Sequence, residues 1–481
     1  MMTEFRTTTT LLPHQVPAVA KMLPIRVGAL FMDMGTGKSR TLLEIAAQRQ
    51  GKWDRLFWLT PCSLRHNVLH QILEHTDIPE AVVCLWDQKT MNRGVNRDAL
   101  VHIIGIESMG QADRVVLAFA NLVTTKSFVV VDESSYIKGN RAKRTERIIT
   151  LSEKCRYRMV LTGTPFTQGA VDLYSQMKFL SPKILGYRSF YSFAANHLEY
   201  EQRRVRGRWI STGRIVRSHN TDYLAAKIAP YVYQIKKDEC LELPDKLHKS
   251  VWLSLTDEQE DWYEHAKTEF LMRDDPEDWS PVELFRLFTR LQTIVCGFVK
   301  VGEGHEILKN NRIATLMDVL EGIGEKEKVL IWAKYRYCVE SICAVLGQEY
   351  GPETVRAFHG DMPDREREKA LAEWRRGPAR YLVLTQSLGS HGLTLTEAAY
   401  AVFYADSFKY SERLQAEDRI HRIGQERRPT YISLRAEDCI DVRINRALNA
   451  KGNALDDFQD EINRCREKGL REKILEMVRA L

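Results

Sequence analysis

A glycine-rich run ending in Lys-Ser is the first part of this sequence whose residue types could do chemistry. It reads Met32-Asp33-Met34-Gly35-Thr36-Gly37-Lys38-Ser39, after the apolar Gly28-Ala29-Leu30-Phe31 and before the helix-like Arg40-Thr41-Leu42-Leu43-Glu44-Ile45. Glycines let the chain turn tightly, so that backbone N–H groups and the N-terminus of the following helix converge on one anion. Lys38 adds a point charge and Ser39 a hydroxyl suited to Mg²⁺. The same residues are compatible with a plain strand-to-helix turn, and Met32 stands where the strict eight-residue phosphate-loop pattern has its first glycine. Further on, Phe128-Val129-Val130-Val131 ends in Asp132-Glu133-Ser134-Ser135. An apolar strand delivering two adjacent carboxylates to its exit suits one acid holding Mg²⁺ and the next orienting an attacking water. Asp and Ser also serve as helix caps, but a phosphate loop upstream favours the catalytic reading. In Leu161-Thr162-Gly163-Thr164-Pro165, Thr162 and Thr164 could sense those carboxylates through hydrogen bonds, or simply form a turn.

A second set lies in the later part of the chain: His359-Gly360-Asp361, the run from Thr385 and Ser387 through Gly389 and Gly392 to Thr394, and the stretch Gln415 to Gln425. Arg419 and Arg422 are three apart, so on a helix they project from one face. Two guanidinium groups there could stabilise charge on a transferring phosphoryl group, or could pair with Glu417 and Asp418 on a surface helix. Near the start, Gln15 has a carboxamide that could match the N6/N7 edge of adenine, or could be a solvated residue at a helix start. Between the two sets, residues 203–217 alternate arginine with apolar residues around Thr212-Gly213, as a hairpin turning there would. Arg203, Arg204, Arg206 and Arg208 beside Trp209 fit a grip on a nucleic-acid backbone, and equally a solvated edge hairpin protected by charge.

The elements that must position these residues alternate. Short apolar runs at Arg55–Thr60, Val82–Trp86, Val101–Ile106, Phe128–Asp132 and Arg158–Thr162, separated by helical stretches, predict an α/β lobe built on a parallel sheet. In such sheets ligands collect at the carboxyl ends of the strands, where the informative residues lie. The alternation lapses from Leu180 to about Asn310, with helical patterns at Gln259–Phe270 and Val282–Val295, and resumes at Val329–Trp332, Thr354–Phe358, Tyr381–Leu384, Ala401–Tyr404 and Thr430–Leu434. The expected organisation is therefore a first lobe over 1–185, a helical insertion with the basic hairpin over 186–310, a second lobe over 311–449 and a helical tail over 450–481.

The 481 residues suffice for two or three cores, and a net charge of +6 permits a polyanionic partner without requiring one. The nine cysteines form no Cys-x-x-Cys pair and no zinc-finger spacing, which predicts reduced thiols in a cytoplasm-like compartment. With no apolar leader core and no run approaching ~18 apolar residues, a soluble, cytoplasmic, non-membrane chain is expected.

Taken in order, Gln15, Gly35 to Ser39, Thr60-Pro61-Cys62-Ser63-Leu64, Asp132-Glu133, Leu161 to Pro165, His359-Gly360, Gly389 to Leu395 and Gln415 to Gln425 resemble the Swi/Snf-type ATPases of helicase superfamily 2. Gln-Ala-x-Asp-Arg-x-x-Arg-Ile-Gly-Gln is the most specific piece, supported by Phe179-Leu180-Ser181-Pro182 and by Leu243-Pro244-Asp245-Lys246. The resemblance implies two RecA-like lobes, ATP and Mg²⁺ as cofactors, and DNA as partner of a monomeric, DNA-stimulated ATPase that translocates along duplex. It implies that Met34 to Ser39 and Gln415 surround the nucleotide and that Gln15 reads adenine. Lys38 would hold the triphosphate, Ser39 and Asp132 the metal, and Glu133 would activate water, with Arg419 and Arg422 completing the site. Pro61, Ser63, Arg65, His359, Thr385 and Ser387 would face nucleic acid, while Thr162, Thr164, Gly389 and Gly392 would couple the two activities. Two departures stand out: Ser134-Ser135 where the family commonly has Ala-His, the first matching the Asp-Glu-Ser-His variant of annealing helicases and fork remodellers, and Thr394 where asparagine is usual. A strand-separating helicase and a catalytically idle DNA-binding scaffold are the alternative readings.

Overall fold

The computed structural model describes residues 5–481 apart from 164, 166–168, 206–207, 274, 277, 303 and 387–392, and apart from the side chains of 203–205, 208–210, 212–214, 301 and 364. The chain divides into two units, Met1–Glu242 and Leu243–Leu481. Each is an α/β unit built on its own parallel sheet.

In the first unit the strands are β1 (Val27–Met32), β2 (Leu56–Thr60), β3 (Val83–Leu85), β4 (Val101–Gly105), β5 (Phe128–Asp132), β6 (Tyr157–Thr162), the hairpin pair β7 (Leu198–Val205) and β8 (Arg208–Ser218), and β9 (Val232–Ile235). Seven of them form one sheet in the order β3-β4-β2-β5-β6-β1-β9. These strands read as continuous apolar runs because both faces are covered. Ala29 and Phe31 of β1 pack into the core on one face, and Leu30 and Met32 into the core on the other. Burying each of the larger ones, Leu30, Phe31 and Met32, contributes about 1.5–3 kcal/mol. The register places Phe31 opposite Thr162 and Asp132 opposite Leu161, so the exits of β1, β6 and β5 lie side by side on one edge. That alignment brings residues distant in sequence to one place.

The second unit contains β10 (Leu247–Leu253), the small pair β11 (Phe298–Val301) and β12 (Gly304–Ile307), β13 (Val329–Ala333), β14 (Val355–Phe358), β15 (Tyr381–Thr385), β16 (Tyr400–Phe403) and β17 (Thr430–Ala436). Six form a parallel sheet in the order β10-β17-β16-β13-β15-β14. Ile331, Val383 and Val402 face one core, and Leu330, Leu382 and Ala401 the other.

The stretch 186–310, expected as an insertion of its own, is divided between the units. Its strand β9 closes one edge of the first sheet and β10 one edge of the second, while the helices Asp257–Arg273 and Pro281–Val295 pack into the core of the second unit. Edge strands are half-exposed, as in the mixed Leu-His-Lys-Ser-Val-Trp-Leu of β10, and lack the solid apolar signal of central ones. The hairpin also differs from expectation. Thr212-Gly213 lies within β8, whose register pairs Val205 with Arg208, so it does not form the turn between the two strands. The terminal helices Ala454–Glu467 and Arg471–Arg479 brace the second unit through buried Phe458, Ile462, Ile474 and Val478. Tyr263 Oη donates to Leu481 O at 2.6 Å and helps hold that end down. All nine cysteines are free thiols, and among the described residues no helix is long and apolar enough to cross a membrane.

Candidate nucleotide site

The phosphate-loop segment leaves β1 and enters the helix Lys38–Gln48 through two left-handed glycines, Gly35 at φ 81° and Gly37 at φ 80°. Only glycine takes such angles without cost. A Cβ on Gly37 would also stand 2.1 Å from Gln15 Nε2. Lys38 Nζ donates to Met32 O at 2.9 Å and to Asp33 O at 3.2 Å, which keeps the ammonium at the strand exit. Buried Thr36 fixes the loop from inside, its hydroxyl donating to Asp33 O at 2.7 Å. Ser39, in the first turn of the helix, is half-buried.

Gln15 sits under this loop. Its Nε2 donates to Thr36 O at 3.3 Å and Gly37 O at 3.1 Å, and its Oε1 accepts from Leu12 N at 2.8 Å. Its carboxamide therefore bonds to the loop, and an adenine contact would require exchanging those bonds. His14 supports the same carbonyl, with Nε2 2.7 Å from Thr36 O.

At the β5 exit Asp132 is buried, and Oδ2 accepts from the indole N–H of Trp58 at 3.3 Å. Burial, and after it the neighbouring Glu133 carboxylate, pushes the Asp132 carboxyl up to about 6 against the lowering pull of Lys38. Glu133 is half-exposed and sits in the left-handed region at φ 49°, ψ 56°. For a residue other than glycine that backbone costs about 1–3 kcal/mol and persists only where the surroundings enforce it. Thr162, fully buried, ends β6 between the two exits. The next residue, Gly163, approaches the phosphate loop so closely that a Cβ there would lie 3.2 Å from Met34 N. Thus Lys38, Ser39, Asp132, Glu133 and Thr162 are gathered on one edge of the first sheet. Thr164 lies outside the described residues.

The remaining first-unit residues are placed as follows. Pro61 is buried and Ser63 exposed just past β2, while Arg65 is turned back onto the chain, its Nε donating to Cys62 O at 3.0 Å and its Nη1 to Trp86 O. Arg206 and the side chains of Arg203, Arg204 and Arg208 lie outside the described residues. The base of their hairpin is anchored by Leu198, Tyr200 and Ile215 against the core.

In the second unit His359 follows β14 and Thr385 ends β15. Ser387, Gly389 and Gly392 lie outside the described residues. The Gln415 to Gln425 stretch corrects the helical expectation: the helix Tyr410–Glu417 stops before Arg419, and residues 418–424 form turns, with Gly424 at φ 93°. Arg419 itself helps end the helix. It is 3% exposed, and its Nε donates to Gln415 O at 2.9 Å, satisfying a carbonyl the helix leaves unpaired. Its Nη1 reaches Leu393 O at 3.1 Å, while its own carbonyl accepts from Leu395 N at 2.9 Å, which ties residues 393–395 to the helix end. Gln415 and Arg422 are half-buried. Beneath them Glu417 accepts from Arg413 at 2.9 Å, Lys246 at 3.1 Å and His248 at 3.2 Å. Although burial opposes it, this set of donors holds the Glu417 carboxyl down at about 2.

Sequence reasoning singled out neither Trp58, His14 nor Arg413. His14 and Trp58 carry no motif, and their roles become visible only when the strand exits are aligned.

Comparison with known proteins gives partial matches along most of the chain. It is 24% identical over 418 residues to the SWI/SNF-related matrix-associated actin-dependent regulator of chromatin subfamily A-like protein 1 of Xenopus tropicalis, covering 83% of this chain and 40% of that protein. It is 23% identical over 474 residues to the human DNA annealing helicase and endonuclease ZRANB3, covering 96% of this chain and 42% of that one. The chain thus spans about two fifths of the length of these relatives. Among solved structures, the Sulfolobus solfataricus SWI2/SNF2 ATPase core in complex with dsDNA is 20% identical, with 100% of this chain and 98% of that one covered at a TM-score of 0.42. The SNF2-related domain model matches residues 19–324, over half of the chain, and the helicase conserved C-terminal domain model matches residues 311–424. On these matches the chain belongs to the SNF2-related family.

Proposed function

We propose that this chain is a DNA-stimulated ATPase that converts ATP hydrolysis into translocation along duplex DNA, serving DNA remodelling, recombination or repair. The observation that carries the reading is the gathering of Lys38, Ser39, Asp132, Glu133 and Thr162 on one sheet edge, in a chain with the family's two domains in order. The loop N–H groups and Lys38 bind the triphosphate. Ser39 and Asp132 are hard oxygen donors of the kind Mg²⁺ takes alongside nucleotide phosphates, and among the described residues no cluster of three or more His, Cys, Asp or Glu offers a separate cage. Bound there, Mg²⁺ would neutralise charge on the phosphates. Glu133 orients a water and accepts its proton as the water oxygen bonds to the γ-phosphorus. The bond to the bridging oxygen breaks and its electron pair leaves with ADP. Arg419 and Arg422 act on the charge that develops on the phosphoryl group.

The DNA partner is read through its backbone, so binding is sequence-nonspecific and salt-sensitive. The proposed contacts are Pro61, Ser63, Arg65, His359, Thr385, Ser387 and the hairpin arginines, with Thr162, Thr164, Gly389 and Gly392 coupling them to the nucleotide. The test is ATP turnover titrated with single-stranded, duplex and forked DNA, together with displacement of a triplex-forming oligonucleotide. Stimulation by duplex with triplex displacement and an intact fork is expected. Opening of the fork would favour a strand-separating helicase, and absence of turnover with every DNA would favour an idle scaffold.

Asp132 also predicts a pH dependence. Its carboxyl is protonated below about 6, and a protonated carboxyl competes poorly for a metal. The Mg²⁺ concentration giving half-maximal turnover should therefore rise about tenfold per pH unit below that value. A flat Mg²⁺ requirement between about pH 7 and 5 would remove Asp132 from the metal site.

A further inference from the structure

Gln176 belongs to none of the motifs above. It lies in the helix Val171–Leu180, fully buried among Leu173, Tyr174, Met177 and Phe179. A carboxamide in such surroundings is costly unless its hydrogen-bonding groups are matched, and these are. Oε1 accepts from Ser134 Oγ at 2.5 Å, and Nε2 donates to Asp172 O at 2.8 Å and to Pro165 O at 3.2 Å. One side chain thus joins the exit of β5 to the segment that follows β6.

Both ends of that bridge adjoin the proposed chemistry. Ser134 is buried and follows Glu133, whose left-handed backbone makes the direction of its carboxylate dependent on what seats the next residue. Pro165 is two residues past Gly163, which approaches Met34 of the phosphate loop. The hydroxyl at 134 is itself one of the chain's departures from the usual alanine, and an alanine there could donate nothing to Gln176. We infer that Gln176 is a positioning residue that, through its bonds to Ser134 and Pro165, relays the stimulating effect of bound duplex from Pro165 to the seat of the water-orienting acid, which is already in place without DNA. This role rests on the ATPase reading above.

The test uses the full chain with Gln176→Met, close in shape but without the amide, Ser134→Ala, and the double variant. The readouts are ATP turnover with and without duplex DNA, KM for ATP, and the thermal midpoint. Gln176→Met should lower the duplex-stimulated kcat about tenfold while KM for ATP and the DNA-free rate stay within about twofold. Ser134→Ala should lower it about threefold, and the double variant should fall no further than Gln176→Met, because both substitutions break one connection. Effects that multiply, or a stimulated kcat unchanged in Gln176→Met, would overturn the role. So would a loss of midpoint and DNA-free rate in parallel with the stimulated rate, which is what a purely structural glutamine gives. If Gln176→Met does not fold, Ser134→Ala decides, and an unchanged ratio of stimulated to DNA-free rate rejects the role. Failure of the unaltered chain to hydrolyse ATP would bring down the functional reading and this role with it, whereas normal hydrolysis with unaffected variants would bring down this role alone.

Discussion

Glu133→Gln should reduce ATP turnover by about a thousandfold while leaving nucleotide and DNA affinity within about twofold, since positioned general bases contribute roughly 10²–10⁴ to rate. The substitution keeps the shape and the left-handed backbone of the residue and removes only its capacity to accept a proton. Glu133 is half-exposed, so the loss should not be accompanied by unfolding. Lys38→Ala should abolish turnover by a different route. The ammonium rests on Met32 O and Asp33 O at the β1 exit, and without it the cradle loses its point charge and the triphosphate its anchor. Nucleotide affinity should fall together with rate in Lys38→Ala, and rate alone in Glu133→Gln. The comparison needs only steady-state turnover and titration with a fluorescent ADP analogue. Full activity in either variant would overturn the assignment.

Much of this site was legible in the sequence because its residues announce their chemistry. A Lys-Ser pair after glycines and two acids after four apolar residues say what they could do before any fold is known. The parallel sheet was equally legible, since strands covered on both faces must be apolar along their buried length, as β1 is and as β5 is up to Asp132 at its exit. What the sequence concealed has physical causes. The edge strands β9 and β10 carry polar residues on their open sides, so the segment holding them read as a lapse in the alternation. Thr212-Gly213 resembled a hairpin turn, but it marks a register shift within β8, with pairing to β7 on both sides at Ser211 and Ile215, and a bulge can carry the same two-residue signal as a turn. Gln176 looks like one polar residue in an apolar helix and acquires meaning only when Ser134 and Pro165 converge on it. Gln15 shows a limit of another kind: its carboxamide suits adenine, yet it suits two loop carbonyls equally well.

The arginine pair illustrates how a three-residue spacing can misplace two side chains, and it yields the second large effect. On a helix Arg419 and Arg422 would be equivalent neighbours, but the helix ends at Glu417 and the two have different surroundings. Arg419 is buried and bonded to Gln415 O and Leu393 O, whereas Arg422 is half-buried in the turn that follows. Arg422→Ala should lower kcat by about a thousandfold, in the range found for arginine fingers. Arg422→Lys should recover little of the rate, because an ammonium cannot reproduce the planar fork of donors. Arg419→Ala leaves two carbonyls without that donor and should cost about 1–3 kcal/mol of stability in addition to any loss of rate. Turnover and thermal midpoints measured on the three variants separate these roles. Near-normal turnover in Arg422→Ala, with the loss confined to Arg419→Ala and matched by its midpoint, would make the pair a structural clamp and leave phosphoryl transfer to the first unit alone.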